Sequence, residues 1–186
     1  MKNASLSALV LAVVLALPAA AKDVEGVKFP DTLAAEGKEL KLNGVGLRRK
    51  FIINVYAAGL YVESPAQSAE QLIQSDQVKR VRMSMLRDLD KKTITEAIVD
   101  GFKANAKEKL PSLQERLNTF TAAIPDLKKG DELVLTYVPG QGTTIESKSG
   151  QKISVEGKDF ADALFSVWLG KQPVDDGLKK AMLGKE

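Results

Sequence analysis

The chain has 186 residues, with 27 basic and 24 acidic side chains and a formal net charge of +3 at pH 7. So small a positive excess does not indicate a nucleic-acid-binding protein, for which a strongly basic surface is typical. The chain has no cysteine and no histidine, which excludes disulfides, thiolate and histidine metal sites, and catalysis by a cysteine nucleophile or a histidine base.

The first 21 residues have the parts of a cleavable export signal. A positively charged start precedes an unbroken apolar run over residues 8–17, and small side chains follow at Ala19 and Ala21, the positions that a signal peptidase reads. The run is too short to span a bilayer, which needs about 20 residues. We therefore expect residues 1–21 to be removed and residues 22–186 to form one periplasmic domain without stable membrane insertion.

The first half of that domain is expected to be mainly strands. Residues 51–62 are a nearly continuous apolar run, rich in β-branched and aromatic side chains. This pattern favours a central strand that is covered on both faces. The other elements expected here are strands at 27–30, 39–47 and 78–86 and a short helix at 69–73.

The second half changes period. Thr93 and Glu96 have the spacing of a capping box, which predicts a helix to about Lys109, and Ser112 repeats that spacing after Pro111. Further expected elements are a meander of strands at 132–138, 143–147 and 152–155 with turns at 139–142 and 149–150, a helix from Phe160 to Gly170, and a last helix at 178–183. This order predicts an α+β fold in which helices pack on one face of an antiparallel sheet.

Several conspicuous residues have structural explanations. Gly44 and Gly46 lack the third glycine of a dinucleotide-binding loop, and a strand follows them rather than a helix. Trp168 has helical spacing and is expected in the core. Asp175 and Asp176 are better explained as acids at a helix start, which the helix dipole favours, than as metal ligands. We therefore expect neither a metal nor a cofactor.

Residues 44–63 contain the candidate site. Arg48 precedes the most apolar strand and Tyr56 lies within that strand. A buried tyrosine hydroxyl usually has a hydrogen-bond partner, and an arginine can bind a carboxylate through two N–H groups. The residues alone leave two interpretations open: a carboxylate-binding pair, or a charged hairpin formed by Arg48, Arg49 and Lys50 with tyrosines in the core.

The same stretch, GVGLRRKFIINVYAAGLYVE, resembles the chalcone isomerase-like family. Members of that family share a glycine–glycine–arginine motif and a following strand with an alanine, a glycine and a tyrosine. The resemblance continues through Arg87-Asp88-Leu89 and through residues 165–178, so it covers most of residues 25–183 in order. It implies an open-faced β-sandwich.

The enzymes of this family close a flavanone ring with the help of a set of polar side chains. The resemblance places their arginine at Arg48 and their strand threonine at Tyr56. Their tyrosine, lysine, asparagine and late-helix hydroxyl fall at or near Ile94, Ala97, Gly101 and Val167. Most of the polar set is therefore absent, and an apolar cavity with one cationic end is expected.

The family also contains non-catalytic relatives and fatty-acid-binding proteins, which are understood to use an arginine–tyrosine pair. The resemblance therefore implies a binding protein for a fatty acid or a similar amphipathic carboxylate, held by Arg48 and Tyr56, with no catalytic residue. Two alternatives stay open. One is a weak isomerase or lyase in which Arg48 stabilises an enolate-like charge, and the other is an accessory protein that assists another enzyme.

Overall fold

The computed structural model describes residues 20–148 and 152–185. Most of the predicted export signal and the predicted turn at Ser149-Gly150 lie outside these residues. The strands are β1 (Ala21–Val24), β2 (Val27–Pro30), β3 (Thr32–Ala35), β4 (Lys38–Lys50), β5 (Ile53–Val62), β6 (Lys79–Met85), β7 (Glu132–Val138), β8 (Gly142–Ser147) and β9 (Ile153–Val155). The helices are α1 (Ala69–Gln74), α2 (Lys91–Asn105), α3 (Leu110–Ala122), α4 (Lys158–Leu169) and α5 (Asp176–Met182).

Seven strands form one antiparallel sheet. They follow one another in chain order from β3 to β9, so every neighbouring pair is joined by a local connection or by one or two helices. β1 and β2 form a separate antiparallel hairpin. The predicted α+β class with an antiparallel sheet is confirmed. No helix in the described part of the chain is long and apolar enough to cross a membrane.

β5 is buried on both faces, as its sequence predicts. Successive side chains of a strand point to opposite faces. Tyr56 and Leu60 belong to the main core, which the helices cover. Ala57 and Tyr61 belong to a second, smaller core with Phe29 of β2. The β1–β2 hairpin therefore covers part of the face that the helices leave.

The predicted start of this strand is wrong by two residues. Lys50 pairs with Ile53, which makes Phe51 and Ile52 a two-residue turn between β4 and β5. Their side chains are 91% and 96% exposed. Both residues have strand-like apolar character, so nothing in the local sequence marks the turn, and the pairing of the two strands decides it. The short strands β1 and β3 were also not predicted.

Both predicted capping boxes are wrong. Asp90 caps α2, because its carboxylate accepts a hydrogen bond from the backbone N–H of Thr93 at 2.6 Å. α3 begins at Leu110 without a side-chain cap, and Ser112 donates its hydroxyl to a backbone carbonyl instead. Pro111 lies in the first turn of α3, where its missing N–H costs nothing.

The two glycines of β4 allow α5 to pack closely on the sheet. A Cβ atom on Gly44 would overlap the backbone carbonyl of Ala181 and lie 2.8 Å from the carbonyl carbon of Met182. A Cβ atom on Gly46 would lie 2.5 Å from the Cβ of Ala181. The Gly-x-Gly pattern therefore serves helix packing, in agreement with the rejection of a nucleotide loop.

Candidate functional site

Arg48 and Tyr56 lie directly opposite each other on β4 and β5. The guanidinium carbon of Arg48 is 5.6 Å from the centroid of the Tyr56 ring, which is the distance of a cation–π contact. The register of one hairpin therefore brings together the two side chains that the sequence proposes as a ligand pair.

The pair lies at a small apolar cavity between the sheet, α2 and α4. The cavity has a volume of about 30 Å³, which is room for about one water molecule. Its walls are Arg48, Tyr56, Met83, Met85, Leu89, Thr93, Ile94, Ala97, Ile98, Leu133, Val167, Trp168 and Val174. Polar side-chain groups come only from the arginine, the tyrosine, the threonine and the tryptophan.

Arg48 has no polar partner among the described residues. Its Nε atom is buried and makes no hydrogen bond, and its guanidinium forms no ion pair with a described carboxylate. Asp175 is used elsewhere, because it accepts the backbone N–H of Arg49 at 2.9 Å and that of Leu178 at 2.8 Å. A buried N–H group without an acceptor is costly, so this position favours an anionic ligand.

A second buried cation shows what a structural role looks like. Lys79 is fully buried, and its ammonium donates to the carbonyls of Leu72, Ile73 and Ser75 at the end of α1, at 2.7–3.1 Å. Burial lowers the pKa of Lys79 to about 8, and Asp162, 4.0 Å away, opposes that shift. Lys79 therefore ties α1 to the sheet, whereas Arg48 ties nothing.

Tyr56 has one hydrogen-bond partner, Trp168 of α4. The indole N–H of Trp168 donates to the Tyr56 hydroxyl at 2.9 Å. Burial raises the pKa of Tyr56 above its ordinary value, and the charge of Arg48 and the Trp168 hydrogen bond offset only part of that rise. Tyr56 is therefore a neutral phenol at pH 7, and its own hydrogen remains available to a ligand.

Trp168 lies in the core, as its helical spacing predicts. Its hydrogen bond to Tyr56 joins residues 112 positions apart, and no sequence pattern marked it. Thr93 is a second wall residue that was not identified, because its spacing to Glu96 was interpreted as a helix cap.

The positions where the family enzymes carry polar groups are apolar here. Ile94, Ala97 and Val167 lie on the cavity wall. Gly101 lies behind it, where a Cβ atom would be 2.8 Å from a methyl group of Val167. No cluster of three or more potential metal ligands occurs in residues 20–148 and 152–185. Asp175 is the N-cap of α5, which supports its predicted role at the helix start.

Removing the Tyr56 hydroxyl should destabilise the fold. Tyr56→Phe leaves the buried indole N–H of Trp168 without its acceptor, so we expect the free energy of unfolding to fall by about 1–3 kcal/mol. Chemical denaturation measures this change. Tyr61→Phe is the matched control, because Tyr61 is buried on the same strand but its hydroxyl has no partner among the described residues. Equal losses in the two variants would contradict the structural role of the Tyr56–Trp168 hydrogen bond.

Comparison with known proteins gives one family and one fold. The family model described as chalcone isomerase-like matches residues 21–184. No curated protein is significantly similar in sequence. The crystal structure of a fatty-acid binding protein from Arabidopsis thaliana is similar to this chain with a TM-score of 0.70, at 19% identity over 88% of this chain and 95% of that one. At that identity the similarity concerns the fold.

Proposed function

Since this chain belongs to the chalcone isomerase-like family, we propose that it is a non-catalytic binding protein for a fatty acid or a similar amphipathic carboxylate. The observation that carries the proposal is Arg48, a cation with a buried and unpartnered Nε at the edge of an apolar cavity. The ligand named for the similar Arabidopsis structure belongs to the same chemical class.

The pair of side chains suits a carboxylate head group. The Arg48 guanidinium can donate two parallel hydrogen bonds to one carboxylate, and the Tyr56 hydroxyl can donate a third. The alkyl tail then lies among Met83, Ile98 and Leu133 of the cavity wall. Each buried methylene contributes about 0.8 kcal/mol, so the tail supplies affinity and the head group supplies orientation.

A ligand of this size requires the cavity to open. Ligand pockets usually measure about 300–1,000 Å³, whereas this cavity has about 30 Å³. The methionines at 83 and 85 can change conformation easily because their side chains are unbranched. Leu89, Ile94 and Val174 are only partly buried and form the outer wall. The opening costs free energy, which lowers the measured affinity below that of the open form.

Solvent extraction of the purified protein, followed by mass spectrometry, tests which lipid is carried. Calorimetric titration of delipidated protein then compares a saturated fatty acid with the alcohol of the same chain length. We expect the acid to bind at least about tenfold more tightly, because only the acid can form charge-assisted hydrogen bonds with Arg48. Equal affinities, or no binding of either compound, would refute the carboxylate site.

We expect no conversion of chalcones to flavanones above the uncatalysed rate in buffer. The positions Ile94, Ala97 and Val167 provide no hydrogen-bond donor at the cavity wall, and one such donor is worth about 10²–10³-fold in rate. Absorbance assays with and without protein measure this rate. A rate clearly above buffer that disappears in Arg48→Ala would instead favour a weak isomerase.

We also propose that the protein is exported to the periplasm, on the basis of the signal-like residues 1–21. The mature protein should begin at Lys22, because Ala19 and Ala21 satisfy the specificity of signal peptidase. Intact-mass measurement of a periplasmic extract gives the N-terminus directly. A dominant full-length form in the membrane fraction would show that the signal is not cleaved.

A further inference from the structure

The turn between β4 and β5 carries apolar side chains that the fold does not use. Phe51 and Ile52 are 91% and 96% exposed, and Ile53 is 46% exposed. In the described part of the chain these three are the exposed large apolar residues. None of them lines the cavity at Arg48. We call residues 49–52 the β4–β5 tip.

Phe51 is also an unfavourable residue for this turn. Its φ angle is +56°, in the left-handed region that bulky side chains rarely adopt. Two-residue hairpin turns favour glycine, asparagine or aspartate at positions with positive φ. Neither turn chemistry nor core packing therefore accounts for a phenylalanine here, and contact with something outside the chain does.

The apolar tip is flanked by positive charge. Arg49 and Lys50 are exposed, and Arg49 donates to the side-chain carbonyl of Asn54 at 3.1 Å, which holds it at the tip. Exposed Arg87 lies at the same end of the sheet, because its neighbour Leu86 bonds to the carbonyl of Val55.

Nearby acids are already engaged. Asp175 accepts the backbone N–H groups of Arg49 and Leu178. Asp88 pairs with Lys128 at 3.1 Å. The surface that remains at the tip combines two protruding apolar side chains with adjacent unneutralised cations.

We propose that the β4–β5 tip docks on an anionic lipid surface. Phe51 and Ile52 enter the boundary between head groups and acyl chains, and Arg49 and Lys50 contact the lipid phosphates. Interfacial membrane binding depends on this combination of buried apolar area and basic charge. A stable protein–protein interface needs about 800 Å² on each partner, which two side chains at the end of a hairpin do not provide.

The tip is adjacent to the candidate ligand site. Arg48, the residue before Arg49, lies on the cavity wall. Docking would bring that wall close to the bilayer, so that a poorly soluble ligand passes between membrane and cavity without crossing water. This consequence rests on the proposed function, whereas docking itself does not.

Vesicle sedimentation tests the docking. We expect the protein to bind vesicles that contain phosphatidylglycerol, and the double variant F51S/I52S to bind them at least about tenfold more weakly. R49Q/K50Q should lose about tenfold on these vesicles. K38Q/K41Q is the matched control, because it removes two exposed lysines from the other end of β4 and should bind like the wild type. No vesicle binding, or equal binding by F51S/I52S and wild type, overturns the proposal unless the tip dye described next responds.

A dye placed at the tip gives a second readout. The chain has no cysteine, so Ile52→Cys can be labelled uniquely with an environment-sensitive dye. Lys41→Cys labels the same strand roughly 30 Å away. We expect the emission to shift to the blue with anionic vesicles for the tip label alone. Because the dye reports its own surroundings, the result does not depend on whether the apolar run at 8–17 is present. A silent tip label overturns the proposal.

Two further measurements separate the explanations. Sedimentation velocity without vesicles shows whether the tip joins two copies of the chain. Self-association that F51S/I52S abolishes, together with a silent tip label, would assign the tip to a protein contact and overturn the proposal. Fatty-acid titration of F51S/I52S in vesicle-free buffer should match the wild type, so a failure of ligand binding is distinguished from a failure of docking.

Discussion

Arg48→Ala should weaken the binding of a saturated long-chain fatty acid by about one to two orders of magnitude. The variant removes the only cation on the cavity wall among the described residues. A hydrogen bond to a charged group is worth roughly 1.5–3 kcal/mol, and about 1.4 kcal/mol corresponds to a factor of ten in affinity. Calorimetric titration of delipidated protein measures the change.

Arg49→Ala is the matched control for this experiment. Arg49 is the next residue on β4, is exposed, and does not line the cavity, so its loss should leave solution affinity unchanged. Tyr56→Phe should cost less affinity than Arg48→Ala, because it removes one neutral donor and keeps the ring. Equal binding by wild type and Arg48→Ala would show that the head group is held elsewhere. Absence of binding in both would favour the charged-hairpin interpretation of Arg48, Arg49 and Lys50.

Arg48→Ala should also leave the fold intact. The guanidinium makes no hydrogen bond or ion pair with any described residue, so its removal leaves no polar group stranded. A loss of binding with an unchanged denaturation midpoint therefore assigns Arg48 to the ligand. A large loss of stability would assign it to the core instead.

Gly44→Ala should destabilise the protein by about 3 kcal/mol, at the upper end of the usual range for overpacked sites. The added methyl group would overlap the backbone carbonyl of Ala181 and lie 2.8 Å from the carbonyl carbon of Met182. These are backbone atoms of α5 and cannot rotate away, so the helix must move off the sheet. Urea denaturation gives the difference in unfolding free energy.

Gly177→Ala provides the comparison on α5 itself. A Cβ atom there would meet only the Asp175 carboxylate, at 3.2 Å. We expect a change of less than about 1 kcal/mol, since alanine also favours the helix more than glycine does. If Gly44→Ala were as stable as Gly177→Ala, α5 would not pack on β4 as described.

Much of the fold follows from local patterns. Strands at 27–30 and 132–138 were predicted at the bounds that the structure has, because hydrophobic alternation and proline or glycine breaks act within a few residues. The helix that ends at Gly170 is of the same kind. Cap positions were less certain, because both Asp90 and Thr93 belong to residue types that cap helices, and the local sequence does not decide between them.

The site divides in the same way. Arg48 and Tyr56 were named from the sequence, through residue chemistry and the family resemblance. Their placement at a common cavity wall comes from the pairing of β4 with β5, and the Trp168 partner comes from a helix 112 residues further along the chain. The small volume of the cavity depends on side chains from three layers of the fold. The sequence alone therefore determined which groups were available and the class of fold. The tertiary structure decided which groups meet, which cation stays unpaired and which apolar residues face the solvent, because strand register and helix packing join residues that no local period connects.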